Sequence, residues 1–168
     1  MSDEHAIHTA SPHASVTVPT RSRPIRRPVL VPQPLDVAIG TGIWVLATVA
    51  IMVVGNRVLP DVDAGFPTLV AYLIVCAATL SGTYAIAGVR ARLGRTALNA
   101  ITGLRLGAVI LVIGLFLDGV LLAATGFSYP NVDAGPTKTI AVAFLLAYPL
   151  AVVGPWLAGL RAERTRPA

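Results

Sequence analysis

The chain has 168 residues, of which 55% are hydrophobic and only 12% charged, with a formal net charge of +5. A soluble domain carries roughly 25% charged residues, so this composition excludes an ordinary soluble domain and indicates a membrane protein. The basic residues flank apolar segments and do not form a patch on a polar domain, which argues against a nucleic-acid partner.

Residues 1–34 lack a hydrophobic period and contain six prolines. Such a segment cannot bury enough apolar surface to fold, so we predict a disordered tail. Arg21, Arg23, Arg26 and Arg27 lie at its end, just before the first apolar segment. We expect these four arginines to contact anionic lipid at the membrane surface.

Four apolar segments follow, at about residues 37–54, 68–88, 106–124 and 139–160, the third with an alternative start at Ile101. Each is close to the roughly 20 residues that a helix needs to cross a hydrocarbon core of about 30 Å. Backbone groups in lipid must be satisfied within the segment, so all four should be helices. The predicted fold is an all-α bundle of four transmembrane helices over residues 35–161, with a short tail at 162–168.

Basic residues alternate between the two sides of the predicted bundle. Arg21–Arg27, then Arg90, Arg92 and Arg95, then the stretch from Arg161 onward lie on one side. The excess of basic residues marks the cytoplasmic side, so both termini should be cytoplasmic and the loop arginines should lie at the membrane surface. The use of 12 Arg against one Lys favours a GC-rich bacterial genome and hence a bacterial plasma (inner) membrane.

Two short motifs occur twice. "PDVDAG" at 60–65 returns as "PNVDAG" at 130–135, and "AGVRA" at 87–91 returns as "AGLRA" at 158–162. Each half therefore consists of a helix, an outer turn, a second helix and an inner exit. This pattern predicts two parallel hairpin repeats, related by an axis along the membrane normal.

The outer turns carry three acids, Asp61, Asp63 and Asp133. Three carboxylates near a pseudo-twofold axis could coordinate a divalent cation. Turn chemistry is the simpler interpretation, because Pro60 and Pro130 can end the outgoing helices and the acids can cap the next ones. We therefore predict turn and capping roles for the acids, with no metal and no cofactor.

Small residues recur every four positions in two of the spans. Such stripes let helix backbones approach closely in lipid, where no hydrophobic drive exists. The stripes predict helix-packing faces in a compact bundle. Their members are Ala77, Ser81 and Ala85 in the second span, and Ala143, Ala147 and Ala151 in the fourth.

Asp118 lies inside the third span, about 9 Å from its predicted outer end. Intramembrane acids usually face the bundle interior or a cavity. Gly107, Gly114 and Thr125 share its helical face, which indicates that this face contacts protein. Arg105 is about 20 Å away along the same helix and should extend to the cytoplasmic surface.

Two interpretations of Asp118 stay open. The first is a proton or cation site, or part of a substrate pocket. The second is a structural acid, protonated or hydrogen-bonded to Thr48, Tyr72 or Tyr148. Trp44 is predicted to be a packing residue, and Trp156 an interfacial anchor.

The sequence contains no nucleophile–base pair and no phosphate-binding or metal-binding motif, so we do not expect an enzyme. The first functional hypothesis is a structural or accessory membrane component that binds the bilayer and forms homo-oligomers or a larger complex. The alternative is a small proton- or cation-coupled transporter that uses Asp118.

Asp118 in the third span, "FSYPN" at 127–131 and a long apolar fourth span together resemble a family of small four-span bacterial, chiefly actinobacterial, membrane proteins. That family is known only as a domain of unknown function. The resemblance covers about residues 36–160, and it implies a four-helix inner-membrane fold without implying an activity.

Overall fold

A computed structural model describes residues 31–165, and over that range the chain is helical with no strand. The four helices are α1 (Pro34–Val58), α2 (Phe66–Leu93), α3 (Ala100–Ala124) and α4 (Ala134–Arg164). All four are long and apolar enough to cross a membrane. The predicted all-α fold with four candidate spans is confirmed. The predictions for residues 1–30, including the lipid contacts of Arg21, Arg23, Arg26 and Arg27, lie outside this range.

The helices extend beyond the apolar segments that predicted them. α1, for example, has 25 residues where hydropathy indicated 37–54. At 1.5 Å per residue a helix of this length spans about 37 Å, more than the hydrocarbon core of about 30 Å. Hydropathy therefore detects the lipid-immersed part of each helix and misses the turns at its ends.

α3 and α4 form the centre of the bundle. In the most apolar window of each of these helices 33% of residues are buried, against 11% in α1 and 6% in α2. α4 packs on both α2 and α3, while α1 packs mainly on α3 and barely touches α2 or α4. The two hairpins are thus arranged differently: α3 and α4 are closely packed partners, whereas the backbones of α1 and α2 rarely come near each other. A common ancestry for the two hairpins stays a prediction.

Glycines allow the close contact between α3 and α4. A Cβ atom added at Gly103 would lie 2.1 Å from the carbonyl oxygen of Pro155, and one at Gly107 would lie 2.6 Å from the Cα of Val152. Neither position tolerates a side chain without moving a backbone. The predicted packing stripe of α4 lies in this core, with Ala143, Ala147 and Ala151 at most 4% exposed.

The predicted packing stripe of α2 is wrong. Ala77, Ser81 and Ala85 are all exposed, and α2 instead buries Thr68, Thr83, Ala87 and Arg90. A stripe of small residues shows which face permits close approach, but it does not show whether another helix is there.

The bundle has two chemically distinct ends, which we name by their charge. The basic end contains the start of α1, the 94–99 loop and the end of α4. The acidic end contains the 59–65 and 125–133 loops. Each loop of the acidic end is hydrogen-bonded to a helix of the other hairpin. Asn56 Nδ2 of α1 donates to the Asn131 carbonyl at 3.1 Å, and Thr139 Oγ1 of α4 donates to the Pro60 carbonyl at 2.8 Å.

The repeated hexamer adopts two different conformations. Residues 60–65 form the whole turn after α1, with Gly65 at a positive φ of 71° before α2 begins. In the second copy, Ala134 and Gly135 already belong to α4. Pro130 was predicted to end α3, and this prediction is wrong. α3 stops at Ala124, and the chain reverses at Gly126, whose φ is +67°.

Candidate functional site

Asp118 points into the bundle and is only 6% exposed. The indole Nε1 of Trp44 donates a hydrogen bond to its Oδ1 at 2.8 Å, and the Tyr129 hydroxyl donates to the same oxygen at 3.3 Å. The Tyr148 hydroxyl donates to Oδ2. One carboxylate therefore connects α1, α3, α4 and the 125–133 loop through three uncharged donors.

A glycine on α3 makes room for one of these donors. Gly114 lies one turn before Asp118, and a Cβ atom there would be 2.9 Å from Cε1 of the Tyr148 ring. The ring of Tyr148 also packs against Phe144, with centroids 5.8 Å apart. The phenol of Tyr148 is thereby positioned at the carboxylate by contacts on two sides.

Tyr129 covers the site from the acidic end. It is 2% exposed, and its ring meets Phe144 edge-to-face with centroids 6.3 Å apart. Burial raises the pKa of the Tyr129 phenol far above its usual value, and the charge of Asp118 and their hydrogen bond raise it further. The phenol consequently stays protonated and remains a hydrogen-bond donor.

A cavity of about 110 Å³ adjoins Asp118. Its wall comes from all four helices and includes Trp44, Thr48, Thr83 and Tyr148. α1 and α2 both line it although they barely touch each other, so the cavity occupies the least closely packed part of the bundle. Most of the cavity wall is apolar, and its volume has room for several water molecules beside Asp118.

The structure separates the predicted partners of Asp118. Tyr148 bonds to it directly, whereas Thr48 is buried on the cavity wall. Tyr72 is half-buried and belongs neither to the cavity wall nor to the hydrogen-bond donors found for Asp118 among residues 31–165.

Sequence analysis missed Trp44 and Tyr129. Trp44 was predicted only to pack, yet a buried indole N–H usually has an acceptor, and Asp118 is the one acid well inside a predicted span. That requirement could have suggested the pair. No comparable indication existed for Tyr129, because the direction of a side chain in a loop cannot be predicted from a helical or strand period.

A second buried acid, Asp36, lies at the basic end and is 0% exposed. Its Oδ1 accepts from Arg90 Nε at 2.8 Å, and its Oδ2 accepts from Arg105 Nε at 3.0 Å. We call Asp36, Arg90 and Arg105 the ionic cluster. It joins α1, α2 and α3 by two buried salt bridges.

Two predicted arginine positions need correction. Arg90 was expected at the membrane surface, but it is 1% exposed and also donates to Gln33 and Thr96. Arg105 was expected to extend to the cytoplasmic surface, but it is 9% exposed. Both are drawn inward because Asp36 offers a carboxylate that only the packed bundle brings near them. Arg92 and Arg95 are exposed at the basic end.

The three acids of the acidic end lie on exposed turns. Asp133 is the N-cap residue of α4 and Gly65 that of α2, and neither helix start receives a side-chain cap hydrogen bond. No side-chain hydrogen bond at these two helix starts therefore supports the predicted capping role of Asp63 and Asp133. Asp61 accepts from Thr68 Oγ1 at 2.7 Å through its backbone carbonyl. Within residues 31–165 no group of three or more acids, histidines or cysteines is placed to hold a metal ion.

No family model matches the chain, and neither a curated protein nor a solved structure matches it. The resemblance to small four-span bacterial membrane proteins therefore stays a prediction. Four apolar helices of spanning length define the class, a multi-pass membrane protein.

Proposed function

We propose that this multi-pass membrane protein is a small carrier that binds a proton or a monovalent cation at Asp118. The observation that carries the proposal is the position of Asp118 on the wall of the cavity, with three uncharged donors around it. No salt bridge of Asp118 occurs among residues 31–165. A carboxylate without a cationic partner attracts a proton or a cation.

The donors around Asp118 suit both protonation states. As a carboxylate, Asp118 accepts from the indole and both phenols. As a carboxylic acid, it can donate its proton from Oδ2 to the Tyr148 oxygen, because a hydroxyl group both donates and accepts. The indole of Trp44 can only donate, so it keeps Oδ1 as an acceptor in both states.

A flux assay in proteoliposomes tests the proposal. The wild-type protein should dissipate an imposed pH or Na⁺/K⁺ gradient, and Asp118→Asn should abolish this flux. Thr48→Val is a useful second variant, since it changes the cavity wall and leaves the acid in place. Absence of flux in the wild type, or undiminished flux in folded Asp118→Asn, would overturn the carrier.

A second candidate function is a structural or accessory component of a membrane assembly or homo-oligomer. It is favoured by the same contacts, since Asp118 ties three helices and a loop together. Purification in mild detergent tests it: a stable partner or a defined oligomer supports this function, and a monomer with gradient-driven flux argues against it.

We further propose a bacterial plasma membrane location with the basic end in the cytoplasm, and no enzymatic role. Arg92 at the end of α2, Arg95 in the 94–99 loop and Arg161 at the end of α4 support this orientation. Reporter fusions at the C terminus and in the 125–133 loop should report opposite sides. The same side for both fusions would contradict the orientation.

A further inference from the structure

A groove of about 370 Å³ runs along the outer surface of α1 and α3 at the basic end. Val37 of α1 and Ala108, Val112 and Ile113 of α3 contribute to its apolar wall. Among residues 31–165, Arg105 is the one charged residue that lines it. From Arg105 to Ile113 the groove follows α3 for about 12 Å. The groove thus combines a guanidinium with a long apolar wall.

The ionic cluster beside this groove is not neutral. Two arginines, which remain protonated in proteins, share the single carboxylate of Asp36, so two positive charges and one negative charge leave the cluster with a net charge of +1. Gln33 and Thr96, the further acceptors of Arg90, are uncharged. The excess positive charge is adjacent to the groove, because Arg105 belongs to both the cluster and the groove wall.

Arg105 lies near the start of α3, where the hydrocarbon core of a bilayer begins. α3 begins at Ala100, so Arg105 lies about 8 Å along the helix from its first residue. A helix of 25 residues exceeds the hydrocarbon core by about 4 Å at each end, which places the Arg105 Cα about 4 Å inside the core. Asp36, which accepts a hydrogen bond from Arg105 Nε, is the third residue of α1. The guanidinium is therefore held toward the basic end, close to the boundary between headgroups and acyl chains.

We infer that this groove binds one anionic phospholipid, with the phosphate at Arg105 and one acyl chain along α3. Basic pockets between helices at this level of the membrane are typical sites for anionic headgroups. The apolar wall matches an acyl chain, while the net charge of the cluster discriminates against zwitterionic lipids. This site is separate from Asp118 and independent of the proposed carrier function.

Native mass spectrometry of the purified full chain tests the inference, with phosphatidylglycerol and phosphatidylcholine of the same acyl chains added in equal amounts. One cationic side chain near the surface contributes about 1 kcal/mol, which corresponds to about a fivefold preference for phosphatidylglycerol. The same lipid should raise the melting temperature of the protein more than phosphatidylcholine does. Arg105→Gln should abolish the preference.

Two further variants keep the test decisive if Arg105→Gln does not fold. Ala108→Phe fills the groove and leaves the three residues of the ionic cluster unchanged, and it should reduce bound phosphatidylglycerol at least fivefold. Ala123→Phe, at another exposed alanine of α3, should bind lipid as the wild type does. Equal retention of both lipids by the wild type, or unchanged binding in Ala108→Phe, would overturn the inference.

Discussion

The bundle buries two aspartates, and it stabilises them by different means. Asp36 at the basic end is paired with two guanidiniums, whereas Asp118, nearer the acidic end, receives hydrogen bonds from an indole and two phenols. Both side chains are at most 6% exposed. Equal burial therefore does not imply equal charge balance: one site has a surplus positive charge, and the other has no ionic partner.

The difference indicates different roles for the two acids. A carboxylate with two salt bridges connects the helices that carry its partners. A carboxylate with neutral donors beside a cavity can exchange a proton or a cation without breaking an ion pair. The following substitutions test this contrast, from the largest expected effect to the smallest.

Asp36→Asn should have the largest effect on stability. The substitution leaves two buried guanidiniums without a carboxylate, and breaking a buried pair in this way costs about 3–5 kcal/mol. Unfolding in a denaturing detergent measures the loss. Asp63→Asn, at an exposed turn of the acidic end, is the matched control and should change stability by less than about 0.5 kcal/mol. A loss equal to that of the control would refute the role of Asp36.

Asp118→Asn should destabilise the protein by about 2–3 kcal/mol, which is less than the loss expected for Asp36→Asn. The amide retains one acceptor oxygen but presents an N–H₂ group to a neighbouring donor, which leaves a buried polar group unsatisfied. Measured by the same unfolding method, a loss as large as that of Asp36→Asn would show that the two acids are equivalent joints.

Gly114→Ala should affect the Asp118 site alone. The added methyl would lie 2.9 Å from the Tyr148 ring, so the ring must shift and its hydrogen bond to Asp118 weaken, at about 1–2 kcal/mol. Gly119→Ala is the control, because a Cβ atom there meets nothing within 4 Å. Quenching or a shift of Trp44 fluorescence, relative to a Trp156→Phe background, reports the rearrangement; identical spectra for both variants would contradict it.

Tyr129→Phe should have the smallest effect, about 0.5–1 kcal/mol, since Oδ1 keeps its bond from Trp44. The ring and its edge-to-face contact with Phe144 are retained. Hydrogen exchange of the 125–133 backbone should speed up modestly, while exchange around the ionic cluster stays unchanged. A change at the cluster would mean that the two sites are coupled.

Sequence analysis could identify Asp118 as an inward-facing residue, because the cost of an acid in lipid restricts where it can point. It could not identify the partners. Tyr148 was one of three candidates, and Trp44 and Tyr129 were missed, since each comes from a different element and their convergence depends on helix rotation. Asp36 was missed because it lies at the margin of an apolar segment. An acid at the end of a span has a low free-energy cost, so its position did not indicate a buried partner.

The repeated hexamer also shows that a local sequence pattern does not fix the tertiary structure. Nearly identical hexamers predicted equivalent turns, yet one is a loop and the other runs into α4. Identical residues have the same local conformational preferences, but the residues packed against the two copies differ. A Cβ atom at Gly135 would contact the Asp61 side chain, while one at Gly65 would meet nothing within 4 Å. The contact between the 59–65 loop and the start of α4 therefore distinguishes the two copies.

Sequence by itself determined the number and type of the spans, because the length and apolarity of a membrane helix are local requirements that each segment meets alone. It also determined that Asp118 must be sheltered. Only the tertiary structure decided which helices touch, that α1 and α2 separate around a cavity, and that Arg90 and Arg105 turn inward to Asp36. These features depend on contacts between residues 50 to 75 positions apart, and a pattern read along one helix carries no information about its rotation against another.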